Sequence, residues 1–178
     1  MEHTEHFLHS SEREALLEHL FCGEIMKWLW LHRHFDLEIL QPEVDCGYDL
    51  VLEKGPVVRH VQLKAAQKGS SVSAVSVNER LAGKPSGCVI IIEFDPGTLA
   101  LGPYYWFGGI PRERLPDLEV FPLAKHARAN AQGVKRERPH IRRVRKTEFE
   151  KLDTIESVIH HLFGAKPLED PELAAPVE

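Results

Sequence analysis

Cysteine is scarce in this chain, with three in 178 residues, and long apolar runs are missing. Cys22, Cys46 and Cys88 are isolated and odd in number, which argues against a disulfide framework and against the paired spacing of a structural zinc site. No stretch approaches the ~20 apolar residues of a membrane-spanning helix. The opening MEHTEHFLHS has neither a basic leader nor an apolar export segment. These absences predict a cytoplasmic protein with no membrane association. His3, His6 and His9 recur at threes, either as a trap for a stray transition metal or as a polar terminus. What is present suits one folded domain: 43% hydrophobic and 28% charged residues, with chain enough for a sizeable core.

The most informative stretch is residues 44–65, VDCGYDLVLEKGPVVRHVQLKA. Two segments alternate at period two around Lys54-Gly55-Pro56, which predicts a β-hairpin. Tyr48, Leu50 and Leu52 share one face of the first strand. In the second, Val57, Arg59, Val61, Leu63 and Ala65 share a face and His60, Gln62 and Lys64 share the other. A turn centred on Lys54 and Gly55 sets Asp49 across from His60 and diagonal to Gln62. A carboxylate, an amide oxygen and an ammonium then converge.

Those groups have a chemical use. A carboxylate and a neutral carbonyl oxygen suit a hard cation such as magnesium, and a nearby lysine steadies an attacking water or charge developing at phosphorus. The bland alternative is a hairpin with a salt bridge on its wet face. Against it, Lys64 follows Leu63 and precedes two alanines, an apolar setting in which an unpaired ammonium is costly.

Asp49, twelve intervening residues, then Gln62-x-Lys64 on the following strand resembles the signature of the PD-(D/E)XK nuclease superfamily, the restriction-endonuclease-like fold. The pattern departs from the commonest form in having Gln where an acid is usual and no Pro directly before the Asp; the Mrr-like restriction enzymes are similar in carrying Gln there. The resemblance covers about residues 11–95. It implies metal-dependent phosphodiester hydrolysis, with Asp49 and Gln62 on magnesium, or manganese in its place, and Lys64 activating water. It also implies a first-helix acid facing the strand pair.

Residues 11–32 are predicted as that helix, opening on a Ser11-x-x-Glu14 capping box and carrying Leu17, Leu20, Phe21, Trp28 and Leu31 on one stripe. Glu24 falls within the stripe, and a lone acid there needs a partner, either Lys27, a backbone amide or the metal. Because capping accounts for Glu14, Glu24 is the expected third metal ligand. Farther on, residues 35–40 are predicted as a strand, and Asp45 in the next loop is either a second carboxylate near the site or a turn residue. Residues 77–82 are predicted helical, and CVIIIEF at 88–94 reads as a central strand covered on both faces. The aromatic run at 104–107 is read as a further strand, and residues 111–115 as one helical turn. The expected order is α-β-β-β-α-β with a mixed central sheet.

Charge is unevenly distributed. Residues 125–146 hold nine of the 22 Lys and Arg and one acid, Glu137, for +8, while the rest of the chain carries −13 and the whole −5. A basic segment on an acidic body is either a polyanion contact or a solvated loop pairing with the remainder. Lys125, Arg128, Lys135, Arg136, Arg138, Arg142 and Arg143 are its candidate phosphate contacts. Residues 124–131 are predicted to start a helix, 141–144 a short edge strand, and 150–163 a closing helix capped by Asp153 and stopped at Gly164.

The expectation is therefore a single α/β, nuclease-like domain over residues 1–164. It has a restriction-endonuclease-like core at about 11–110, a basic and helical extension at 111–164, and a disordered tail at 165–178. Its expected activity is that of a magnesium-dependent endonuclease on nucleic acid, chiefly DNA, and cutting both strands of a duplex would call for a homodimer. The alternative is a module of the same fold, without catalysis, that binds nucleic acid or a protein.

Overall fold

Leu17, Phe21, Ile25 and Leu29 recur every fourth residue and are all buried, so one edge of α1 (Ser10–Leu31) lies flat on the protein. The computed structural model describes residues 10–126 and 135–164. The expected tail at 165–178, the histidines at 3, 6 and 9, and Arg128 lie outside the described residues. No helix among the described residues is long and apolar enough to cross a membrane.

After α1 come β1 (Leu37–Leu40), β2 (Leu50–Lys54), β3 (Val57–Gln67), β4 (Ala74–Asn78), β5 (Gly87–Phe94) and β6 (Leu101–Gly108). Then follow β7 (Leu123–Lys125), β8 (Glu137–Arg145), β9 (Glu150–Leu152) and α2 (Ile155–Phe163). Six strands form a mixed sheet in the order β1-β2-β3-β5-β6-β9, antiparallel except where β3 runs parallel to β5. A separate antiparallel sheet has the order β4-β8-β7.

The unbroken apolar run of β5 is explained by two cores. Cys88, Ile90 and Ile92 pack with α1, α2, Leu50, Leu52 and Val61 on one face. Val89 and Ile91 pack with Ala66, Val75, Val77 and Val144 on the other, beneath the small sheet. All three cysteines are free, and burial pushes the Cys88 thiol up to about 12.

Arg59 is fully buried, and among the described residues it makes no ion pair with a carboxylate. Its guanidinium donates to the carbonyls of Leu162 at 2.7 Å, His161 at 2.6 Å and Gly109 at 3.0 Å, and lies over the Trp106 ring at 5.2 Å. It thereby caps the last carbonyls of α2, where a helix has orphan acceptors and its negative pole. Burial depresses the Arg59 pKa, yet the ring of carbonyl oxygens supplies the acceptors that water would otherwise provide.

Several expected elements differ. The short helical segment expected at 77–82 is a 3-10 helix at Glu79–Gly83 that Asn78 caps by accepting the Arg80 amide at 3.0 Å, while 77 and 78 end the strand β4. Val75 and Val77 alternate into the core, and β-branched residues at that period favour a strand. No helix forms at 111–115. Where the helix at 124–131 was expected, β7 occupies 123–125 and residues 127–134 lie outside the described chain. The short edge strand of 141–144 is instead the nine-residue β8, the centre of its sheet. The closing helix starts five residues late because 150–152 pair with β6, and its cap is Thr154, which accepts the Ser157 amide at 3.1 Å. Asp153 pairs with Lys151 at 2.8 Å.

Candidate active site

The β2–β3 turn is Gly55-Pro56, one residue later than a turn on Lys54-Gly55, so His60 pairs with Val51 and not with Asp49. Pairing of β2 with β3 stops at Leu50 and Val61. Tyr48 packs in the core beneath the small sheet while Leu50 and Leu52 face the helices, so the strand alternation does not continue back through the bend at Asp49.

That bend positions the carboxylate. The Asp49 amide donates to the Val61 carbonyl at 2.9 Å, and Asp49 Oδ2 accepts the Leu63 amide at 2.6 Å. Beyond Val61, β3 has no strand on this side, and the Asp49 side chain takes an amide that would otherwise be unpaired.

Between this edge and α1 lies a cleft of about 560 Å³. Glu14, Glu18 and His19 line it from the helix, Gln41 from the loop after β1, and Asp49, Leu63, Lys64 and Ala65 from the strand pair. Gln41 Nε2 donates to Glu18 Oε1. Burial, opposed by that bond and reinforced by the charge of Asp49, raises the Glu18 carboxyl above its ordinary value. Two acids thus face one space. Among the described residues, Lys64 is half-buried and has neither an ion-pair nor a hydrogen-bond partner, so the salt-bridged wet hairpin is not what forms here.

Of the predicted residues, Asp49 and Lys64 share the cleft. Gln62 does not line it: it is 7% exposed, and its Oε1 accepts the Asn78 amide at 3.2 Å. Glu24 is a correction. It pairs with Lys27 at 3.7 Å and its charge bears on Tyr104, away from the cleft. The buried stripe runs 17, 21, 25, 29, not through 17, 20, 21, 28 and 31 as expected, which puts Glu24 on the flank and Glu14 and Glu18 at the cleft. Ser11 lies within the helix, so a cap at Ser11 no longer accounts for Glu14. Glu14 and Glu18 sit one turn apart beside Leu17, a spacing that marks one helix edge and was the available signal.

The basic segment is divided. Lys125, Lys135, Arg136, Arg138 and Arg143 are exposed. Arg142 is committed inside the molecule, pairing with Glu79 and donating to the Phe121 carbonyl at 2.9 Å. Asp45 Oδ1 accepts the Gly47 amide at 3.0 Å, as a turn residue does. Arg80 donates to the Asp45 carbonyl at 3.1 Å and Lys84 lies over the Tyr48 ring at 5.4 Å, two cations near the loop that the charge count over 125–146 missed.

Among the described residues no group of three or more His, Cys, Asp or Glu side chains is arranged to hold a metal ion. No family model matches the chain, and no curated protein matches it.

Proposed function

We propose that the Asp49–Lys64 cleft hydrolyses phosphodiester bonds in nucleic acid, with DNA as the expected substrate and magnesium or manganese as cofactor. One observation carries this reading: an unpaired Lys64 ammonium shares a cleft with an Asp49 carboxylate anchored to the backbone and with two helix acids. The chain order supports it, since one helix precedes an antiparallel three-strand run and a crossover leads to a strand parallel to β3. The crossover carries β4 and a 3-10 turn where the resemblance implies a helix.

The donor set suits a hard cation that keeps several waters, which needs only one or two carboxylates from the protein. Asp49 and Glu18 would be those carboxylates; burial is the main cause that raises Glu18, the charge of Asp49 adds to it, and a cation would relieve that added repulsion. When bound, the ion supplies charge neutralisation at the phosphate. Lys64 orients the attacking water and stabilises charge developing on the phosphate oxygens. Leu63, Ala65 and Ile92 give the cleft an apolar wall, where such electrostatic effects are stronger than in water.

The test is cleavage of supercoiled plasmid and of labelled single strands with magnesium, manganese or chelator present. Metal-dependent cutting that Asp49→Asn and Lys64→Ala abolish supports the assignment; normal cutting by either variant refutes it.

One observation favours a second reading, a module that binds nucleic acid without cutting it. Gln62 is neutral and its oxygen already accepts the Asn78 amide, so the position where an acid would strengthen metal binding offers the cleft no ligand. Under that reading millimolar magnesium or manganese leaves the melting temperature unchanged. Under the leading one, binding to the native state raises it by mass action.

A further inference from the structure

A second hollow, of about 280 Å³, is lined in part by Asp45, from the loop before β2 that leads to Asp49. It is also lined by Asn78 at the end of β4 and Arg80 in the 3-10 segment after it, and by His126, Arg138 and His140 on and beside the other two strands of the small sheet. Arg80 is held in place through its bond to the Asp45 carbonyl at 3.1 Å. Arg138 has no partner among the described residues, and it is exposed. The nearby acid Glu79 is already engaged by Arg142 and by His140 at 3.2 Å, which leaves Asp45 as the one carboxylate in the wall. Two guanidiniums, Arg80 just after β4 and Arg138 on the neighbouring β8, against a single acid favour an anionic occupant, and their planar donor pairs match phosphate oxygens.

Position identifies the kind of anion. Asp45 is in the wall of this hollow and Asp49 in the wall of the cleft, four residues on, a separation of at most ~14 Å. The intervening loop is held at that spacing. Gly47 has φ +86° and packs so closely on Asn78 that a Cβ would lie 2.9 Å from its Cγ. A nucleic-acid strand advances about 3.4 Å per phosphate along its axis. A strand that reached both would therefore place its two phosphates on the order of a few nucleotides apart.

We propose that this hollow is a phosphate subsite for the strand whose scissile bond enters the Asp49 cleft, with Arg80 and Arg138 gripping one backbone phosphate. The proposal rests on the nuclease reading for its link to the cut bond. It adds a fixed offset: the strand is held within a few nucleotides of the cut, on the side where the small sheet meets the core.

The experiment measures anisotropy of a fluorescein-labelled single-stranded DNA of about a dozen nucleotides, a length that one small site covers. Chelator is present to stop cutting, and salt is varied. Arg138→Gln is expected to weaken binding several-fold and to lower the slope of log affinity against log salt by about 0.7, the value for one phosphate contact on a single strand. Arg138→Lys should restore most of that slope, and melting temperatures should match the wild type. With metal present, Arg138→Gln should slow cutting of long strands but not of strands trimmed to two nucleotides either side of the cut.

Unchanged affinity and slope in both Arg80→Gln and Arg138→Gln would overturn the subsite, whether or not the wild type cuts. Displacement of the strand by submillimolar inorganic phosphate would also overturn it, in favour of a free-anion pocket. A wild type that never cuts while Arg138→Gln loses the salt slope would refute the nuclease reading and leave the phosphate contact standing.

Discussion

Asp49 Oδ2 accepts the Leu63 amide at 2.6 Å, at the point where β3 loses its β2 neighbour. The bond gives Asp49 a structural duty beside its proposed chemical one, and the two separate by substitution. Asp49→Asn keeps an oxygen to accept the amide and removes the charge; Asp49→Ala removes both. We expect both variants to lose cutting, with Asp49→Asn close to wild-type stability and Asp49→Ala destabilised by about 1–2 kcal/mol through the orphaned amide. Urea denaturation beside the cleavage assay checks this. Equal stability of the two variants would show that the bond contributes nothing.

Glu18 and Glu24 make an internal control. Glu18 shares the cleft with Asp49, and Glu24 sits on the flank with Lys27. Glu18→Gln should weaken the metal-induced rise in melting temperature, with apparent metal affinity down by about tenfold or more. Glu24→Gln should leave it unchanged. The opposite pattern would restore Glu24 to the site.

Arg59 joins β3 to the end of α2 through carbonyls alone. Arg59→Ala empties a fully buried volume and leaves the Leu162, His161 and Gly109 carbonyls without their donor. A loss of about 3 kcal/mol or more in unfolding free energy follows. A change below about 1 kcal/mol in a denaturant titration would contradict the account of this cap.

The Glu79–Arg142 pair fastens the 3-10 turn to β8. The Arg142 bond holds the Glu79 carboxyl below its ordinary value of 4.5. A carboxyl depressed on folding stabilises the protein at pH above its unfolded value, and that contribution is lost as pH falls through the lower folded value. Stability should therefore drop as acid is added below about pH 4.5, and Glu79→Gln should flatten that part of the curve. Melting temperatures of both proteins from pH 7 to pH 3 decide the point; parallel curves would count against the pair.

How far the sequence led can be read from particular residues. Period two around Lys54-Gly55-Pro56 and the unbroken 88–94 run predicted the strands that carry the cleft, because both patterns report burial directly. Asp49 and Lys64 could be singled out by residue type and spacing, but the expected register across from His60 did not form, and it is the bend at Asp49 that brings the carboxylate to the cleft. Glu18 was not legible, because which flank of an amphipathic helix faces a cleft depends on docking angle, and a stripe at 17, 21, 25, 29 differs from one through 17, 20, 21, 28 and 31 by a modest rotation. Nor was β4. Its partner β8 lies more than 60 residues away, and the pairing of Val75 with Val144 has no local signature. Period two put Arg59 on one face with Val57 and Val61, but its acceptors on α2 are backbone carbonyls about a hundred residues on, which no spacing rule reveals.

Plasmid cleavage by the wild type and by Lys64→Ala, with magnesium and with chelator, tests the central claim most directly. Lys64 has no partner among the described residues, so its removal costs the fold little, and loss of activity in the variant reports chemistry. The account predicts nicking that requires metal and falls at least a hundredfold in the variant, the scale of one electrostatic catalytic group. Metal-independent nicking, or equal rates in the two proteins, would contradict it.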